Sequence, residues 1–279
     1  MIRLDHCPAP AKLNLFLHVT GRRTDGYHLL QTAFRMLTLG DELSFSLRDD
    51  GQIGLHPPIP GVPDEHNLVV RAARLLQQLS GTRLGADITL HKRLPMGGGL
   101  GGGSSDAATT LIALNRLWNT GMDRDTLLKA SLSLGADVPF FIFGQDAFAE
   151  GVGEALQPIH LPPAHYVVVH PGIESPTAKI FSDEGLTRNT PLIRIADFAA
   201  HTTRNDLQAT ACRLFPEIEV AVRWLGQHAP SRMTGSGSCV FAEVHDPEEA
   251  RKIVDACPEH WRAWATQGII RHPLHDWLS

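Results

Sequence analysis

The stretch PMGGGLGGGSSDAA, residues 95–108, places six glycines within seven positions and two serines directly after them. Glycine loses more backbone entropy on folding than any other residue and buries no side chain. A packed core has no use for such a segment; what it offers is unobstructed backbone. The residues before it, 87–91, alternate around Ile88 and Leu90 as a strand does. The residues after it carry Ala108, Leu111, Ile112, Asn115 and Trp118 at helical steps. The reading is strand, glycine loop, Ser-Ser, helix, with the helix starting at the serines. That order turns main-chain N–H groups toward one point, and the helix start adds unsatisfied donors and the positive end of its dipole. A phosphate group fits, and any side chain on its approach would obstruct it. Ser104 and Ser105 can cap the helix, touch a phosphate oxygen or ligate Mg²⁺. The plain alternative is a flexible surface loop, an odd insertion between a patterned strand and a patterned helix.

Two common phosphate-binding classes do not fit. Gly97-x-Gly99-x-x-Gly102 satisfies the dinucleotide fingerprint formally, but a Rossmann unit needs a second strand ending in an acidic residue about 20 positions on. Here that region reads RLWNTGMD, a helix end and a loop. A P-loop needs Gly-Lys-Ser/Thr, and no lysine follows these glycines.

Elsewhere, Leu13, Leu15, Leu17 and Val19 alternate with Lys12, Asn14 and His18, so residues 11–19 read as a strand with Lys12 and Asn14 on one face; Phe16 breaks the pattern. TDGYH (24–28) reads as a turn, and 42–48 as another strand. Leu68, Val69, Ala72, Leu75, Leu76 and Leu79 keep helical spacing up to a stop at Gly81. A further helix is expected from about Asp123 to Gly135. The second half predicts a strand at 166–170, a helix near Pro216, a strand at 238–244 and a helix at DPEEA (246–250), where Asp246 caps and Pro247 takes the first helical position. Strands and helices mix without regular βαβ alternation, which favours α+β. QPIHLPPA (157–164) is the best boundary between two domains, 1–158 and 159–279.

The totals narrow the class. The chain has 279 residues, 43% hydrophobic and 20% charged, which is ordinary soluble globular composition. Its formal charge of −5 argues against a nucleic-acid backbone or an anionic membrane as main partner. Cys7, Cys212, Cys239 and Cys257 are scattered without a C-x-x-C pair, as reduced thiols of a cytoplasmic protein would be. The first residues lack the apolar run of a signal peptide, and no run approaches a membrane span. His160, His165 and His170 recur every five residues, which matches no common ligand pattern.

The glycine stretch resembles the phosphate-binding motif of the GHMP kinases, P-x-x-x-G-L-G-S-S-A-A, with two extra glycines before the serines and Asp106 after them. That expanded form is similar to the branch of the family whose acceptor is a cytidine diphosphate-linked methylerythritol. PAKLNLFL (10–17), DGYHLLQT (25–32), NLVVRAA (67–73), LGADVPFF (134–141), AFAEGVGE (147–154) and PSRMTGSGSCVF (230–241) agree in order and spacing. The resemblance implies a two-domain α+β fold with its site in the cleft between domains, the N-terminal domain binding ATP. It implies ATP-dependent phosphorylation of the acceptor's 2-hydroxyl on the non-mevalonate route to isoprenoid precursors.

By the same resemblance, Asp137 is the base that takes the acceptor's proton, and Lys12 stands beside it, keeping it ionised and stabilising the attacking oxygen. Read from the residues alone, capping a helix is the favoured role of Asp137, and Lys12 could sit on a solvated face. Tyr27 would stack on the cytosine and His28 hydrogen-bond its edge, where the bland reading is surface packing past a turn. Asn14 is expected near the methylerythritol, with Thr177 and Phe181 lining the acceptor side. Pro95, Met96, Gly97, Gly98, Gly99, Leu100, Gly101, Gly102, Gly103, Ser104 and Ser105 would wrap the phosphates of ATP. Asn67, Leu68 and Lys92 would border the adenine. Asp106 is expected to face away or to reach Mg²⁺ through water; ATP brings its own Mg²⁺, and no carboxylate ligand for it stands out. TGSGS (234–238) is either a tight turn or the family's C-terminal glycine motif closing on the cleft. The rival readings are a GHMP kinase for homoserine or a mevalonate derivative, disfavoured by DGYH, and a non-catalytic nucleotide-binding protein, disfavoured by Lys12 with Asp137.

Overall fold

The computed structural model describes residues 2–195 and 203–278. Its frame is an antiparallel pair, β1 (Arg3–Arg22) and β2 (His28–Arg48). The turn between them is supplied by Asp25, whose carboxylate accepts the Tyr27 N–H at 3.2 Å, and by Gly26 at φ +93°. The ladder steps from Asn14–Phe34 to Phe16–Ala33, leaving Leu15 as an extra residue. That bulge is why the period of two fails at Phe16.

The first half adds β3 (Ile53–His56), α1 (Leu68–Ser80), β4 (Gly85–His91), α2 (Gly102–Leu117), α3 (Arg124–Ser131), α4 (Val138–Phe143), β5 (Ala147–Glu150) and β6 (Ala155–Pro158). The second adds β7 (His165–His170), α5 (Thr177–Ser182), α6 (Gln208–Leu214), α7 (Pro216–Leu225), β8 (Ser231–Met233), β9 (Val240–Val244), α8 (Pro247–Asp255) and β10 (Arg262–Ile269). The strands run in the order β3-β4-β2-β10-β7-β9-β8, with β1 and β5 on β2 and β6 on β5. β3 pairs with β4 in parallel and the other ladders are antiparallel. Strands and helices in this order make an α+β fold.

One core packs α1, α2 and α4 on β2 and β4, through Phe34, Phe45, Ile88, Leu111 and Phe140; Leu274 and Leu278 join it from the C-terminal end. A second packs α6, α7 and α8 on β7 and β9, through Val167, Ile218, Leu225 and Val240, and takes Leu17 and Val19 from β1. Between them Arg35, fully buried, donates to Asp146 Oδ2 and to the Pro162 carbonyl, both at 2.9 Å. Burial raises the Asp146 carboxyl to about 6 against the pull of Arg35. A Cβ at Gly268 of β10 would collide with the Arg35 guanidinium, so only glycine lets β10 pass there.

Helix ends follow local chemistry. Asn67 caps α1 through Val69 N at 2.9 Å, and Gly81, at φ +67°, closes it on the Gln77 carbonyl. Asp246 caps α8 as its sequence predicts. α3 ends at Ser131, short of Gly135. α2 starts at Gly102, before the serines, because Gly101 turns left-handed at φ +70° and Ser105 N already bonds the Gly101 carbonyl at 2.9 Å. Neither serine supplies a capping bond, so the Gly102, Gly103 and Ser104 amides are left for something outside the helix.

Candidate active site

The glycine loop is held from both sides. Lys12 N donates to the Leu100 carbonyl at 2.9 Å, while Ser238 N and Cys239 N donate to the Gly97 and Gly98 carbonyls at 3.2 and 3.1 Å. A Cβ at Gly99 would strike the Thr234 carbonyl, and one at Gly98 would stand 2.9 Å from Cys239 Sγ. Here the structure corrects the simplest reading of the loop. Gly98 and Gly99 are glycine because residues 234–239 close on them. At Gly103 the nearest protein atom to a Cβ is Leu68 Cδ1, at 3.5 Å, which leaves room for a ligand. TGSGS is therefore both a turn and a clamp.

Two cavities meet at this loop, sharing Gly97, Gly99, Gly101 and Ser104 in their walls. The larger, about 710 Å³, is lined by Lys12, Asn14, Asp137, Tyr27, His28, Thr177 and Phe181, so every residue expected on the acceptor side is brought together. The smaller, about 370 Å³, takes Asn67, Leu68, Lys92 and residues Pro95 to Ser104, with Ile59, Val62 and Leu90 as an apolar slot. Ser105 lines neither; it is buried with its hydroxyl unpartnered.

Lys12 is 3% exposed, and its ammonium lies 3.4 Å from Asp137 Oδ2, whose side chain is 35% exposed. It donates to Asn14 Oδ1 at 2.5 Å and lies 5.5 Å from the centre of the Phe34 ring. Asn14 Nδ2 is spent on Thr32 Oγ1 at 2.9 Å, so the Asn14 side chain braces Lys12. Asp137 precedes α4 but makes no capping bond, which leaves its carboxylate to the cavity. At the far end Tyr27 is 63% exposed, and the His28 ring packs on Phe181 with centroids 5.0 Å apart. Thr177 Oγ1 bonds Ser236 Oγ at 2.7 Å, joining α5 to the second glycine cluster.

Lys92 differs most from its expected surroundings. Its ammonium bonds Asp41 Oδ2 at 2.6 Å and Asp106 Oδ2 at 2.7 Å. Burial would lower its pKa, but the two carboxylates overcome that and raise it. Burial pushes Asp106 up to about 7, with Asp41 adding to the rise and Lys92 opposing it. Asp106 thus turns inward onto Lys92 at the wall of the smaller cavity, so of the two expectations for it, facing away does not hold. Asp41 had no signal, being one of two adjacent carboxylates at the start of a strand pattern. Ile59 and Val62 were visible only as apolar residues in a proline-rich loop. Thr32 and Ser236 are further cavity residues that lie within quoted motifs but were given no role, and Arg22 is one that no motif marked.

Among the described residues no group of three His, Cys, Asp or Glu side chains could hold a metal ion, and no helix is long and apolar enough to cross a membrane. Cys7, Cys212, Cys239 and Cys257 are free thiols.

The GHMP kinases N terminal domain matches residues 67–145, and the GHMP kinases C terminal domain matches residues 186–263. The chain belongs to the GHMP kinase family; it is a kinase, of a family that takes its phosphate from ATP. Within that family its place is with the 4-diphosphocytidyl-2-C-methyl-D-erythritol kinases. The protein of that name from Azoarcus sp. is 66% identical over 98% of this chain and 97% of its own length. That from Aromatoleum aromaticum is 64% identical over 100% and 98%. The crystal structure of a 4-(cytidine 5'-diphospho)-2C-methyl-D-erythritol kinase superposes with a TM-score of 0.81 at 36% identity, covering 96% of this chain and 100% of the other.

Proposed function

We infer that the chain transfers the γ-phosphoryl group of ATP to the 2-hydroxyl of 4-diphosphocytidyl-2-C-methyl-D-erythritol. The observation that carries this reading is the junction of the two cavities at the glycine loop, with Lys12 and Asp137 on the acceptor side of it. ATP lies in the smaller cavity, its base in the slot of Ile59, Val62, Leu68 and Leu90, bordered by Asn67 and Lys92. Its phosphates run along Pro95 to Ser104 to the free amides at the start of α2, where backbone dipoles favour negative charge. The acceptor spans the larger cavity, cytosine against Tyr27 and His28, reacting hydroxyl at Asp137. Asp137 takes the hydroxyl proton as the oxygen bonds to the γ-phosphorus; the bond to the β–γ bridging oxygen breaks, and ADP leaves with its electron pair. The Lys12 ammonium, fixed by Asn14, offsets charge on the attacking oxygen.

Mg²⁺ fits the start of α2, where Asp106 Oδ1 is buried without a partner and Asp106 and Ser104, both in the wall of the smaller cavity, offer hard oxygen donors. When bound, it neutralises charge on the phosphate oxygens. Residues 1–158 form the ATP-binding part and 159–279 the rest. The partners are small molecules, with no role for nucleic acid or a membrane surface, and the four free thiols suit the cytoplasm.

The test is ADP release from Mg-ATP with the cytidylyl acceptor, run beside homoserine and mevalonate, with product masses checked. Turnover with the first alone, gaining one phosphate, is the expected result. Turnover only with another acceptor would keep the kinase and discard the cytosine site.

A further inference from the structure

One contact at the far end of the larger cavity lies outside every motif: Arg188 Nε donates to His28 Nε2 at 3.0 Å. Arg188 is otherwise anchored on the chain leaving α5, through the carbonyls of Phe181 at 3.1 Å, Asp183 at 2.7 Å and Leu186 at 3.1 Å. A guanidinium has five donors and no acceptor. Its Nε–H can bond His28 Nε2 only if that nitrogen carries a lone pair. A neutral imidazole has one donor and one acceptor nitrogen, so the proton must sit on Nδ1. His28 Nδ1 has no partner among the described residues and is not one of the occluded atoms, and the ring belongs to a residue that lines the larger cavity.

We propose that Arg188 is a positioning residue that locks His28 in its Nδ1–H tautomer, so that the ring presents a fixed hydrogen-bond donor to the N3–O2 acceptor edge of the substrate's cytosine. The base-recognition half of this rests on the acceptor proposed above; the lock itself does not. An unlocked ring would exchange tautomers and present a lone pair to that edge part of the time. Phe181 serves both partners, packing on the ring and accepting from Arg188 through its carbonyl. The charged groups about the ring are Arg188, from the segment after α5, and Arg22, from β1. Asp183 and Asp25 are paired elsewhere, with Arg213 at 2.5 Å and Arg23 at 2.7 Å. Burial, then Arg188 and Arg22, lower the His28 pKa, which keeps the ring neutral at pH 7.

The experiment is a long-range ¹H–¹⁵N spectrum of imidazole-labelled enzyme without substrate, comparing wild type with R188M. Wild type is expected to show His28 protonated on Nδ1, and R188M a mixture of tautomers. An Nε2–H ring in wild type overturns the lock outright, whatever the substrate. Steady-state kinetics of the same pair test its use: R188M should raise KM for the cytidylyl acceptor about tenfold, about 1.4 kcal/mol, with KM for ATP unchanged. Because Arg188 also anchors carbonyls, the pH profile separates the lock from loosened packing. In R188M, acid protonates both ring nitrogens and restores the Nδ1–H donor, so the excess acceptor KM should shrink at low pH, whereas loosened packing would raise KM evenly across pH. An excess KM that does not shrink in acid, or an unchanged acceptor KM with altered tautomers, overturns the proposal. Wild-type enzyme inactive on the cytidylyl acceptor would remove the base-recognition half, and the spectrum would still decide the lock.

Discussion

Lys12 and Asp137 form an asymmetric ion pair: the ammonium is sealed into β1 by Asn14 and Phe34, while the carboxylate 3.4 Å away is a third open to the cavity. The cation cannot follow a ligand, and the anion can meet one. D137N should lower kcat by about 10²–10⁴-fold, the range for loss of a general base. KM for ATP should stay near the wild-type value, since Asp137 does not line the smaller cavity. Unchanged turnover would remove Asp137 as the base.

The glycines at 99 and 103 are glycine for different reasons, and alanine should separate them. At Gly99, φ +75° and the Thr234 carbonyl both oppose a side chain. G99A should cost at least about 1–3 kcal/mol in urea denaturation and lower activity with either substrate limiting. G103A lies in the first turn of α2 with room for a methyl and should raise stability by a few tenths to about 1 kcal/mol. If the phosphates approach there, its KM for ATP should still rise.

Asp106 is a carboxyl whose folded-state pKa, about 7, lies above the value of about 3.9 expected in an unfolded chain. The folded state therefore binds more protons between those two values. The stabilisation from this group is complete below about pH 4 and is lost as pH rises to about 7. D106N keeps a hydrogen-bond partner for Lys92 without a second buried charge. It should be more stable than wild type at pH 7.5, with a flatter dependence of urea midpoint on pH between 4 and 7. A D106N midpoint that tracks wild type across that range would contradict the assignment.

Arg35 and Asp146 are buried together, and removing one partner strands the other. R35M should destabilise by about 3–5 kcal/mol, read as a shift in urea midpoint. R35M with D146N should recover much of that loss. A single-variant cost below 1 kcal/mol would mean that water reaches the pair.

How much of this was legible in the sequence varies with range. Short-range signals held: Asp246 before Pro247, Gly81 after the α1 repeat, and Lys12 with Asn14 on one strand face each depend on neighbours within a few residues. The reason for Gly98 and Gly99 did not, because the atoms that exclude their side chains belong to residues 234–239. That Asp106 turns inward was hidden for the same reason. Its partner Lys92 was in view, but not the fact that Asp41 would complete the cluster. Arg188 had no signal at all, since a single arginine in a polar loop says nothing until the fold brings His28 to it.

The hairpin of β1 and β2 reaches into both cores, and this sets how the chain can be divided. Leu17 N bonds the Arg204 carbonyl at 3.0 Å and Val19 N bonds Asp206 Oδ2 at 2.8 Å, so the second core is built on backbone from the first twenty-two residues. Leu274 and Leu278 cross the other way. A cut in the loop after β6 would leave each fragment with an open seam in its own interior. The two pieces should therefore stay soluble and active only when produced together, each serving as the other's missing strand and cap. During synthesis the early strand must wait for almost the whole chain before its second set of partners exists, a long-range closure of the kind that slows folding.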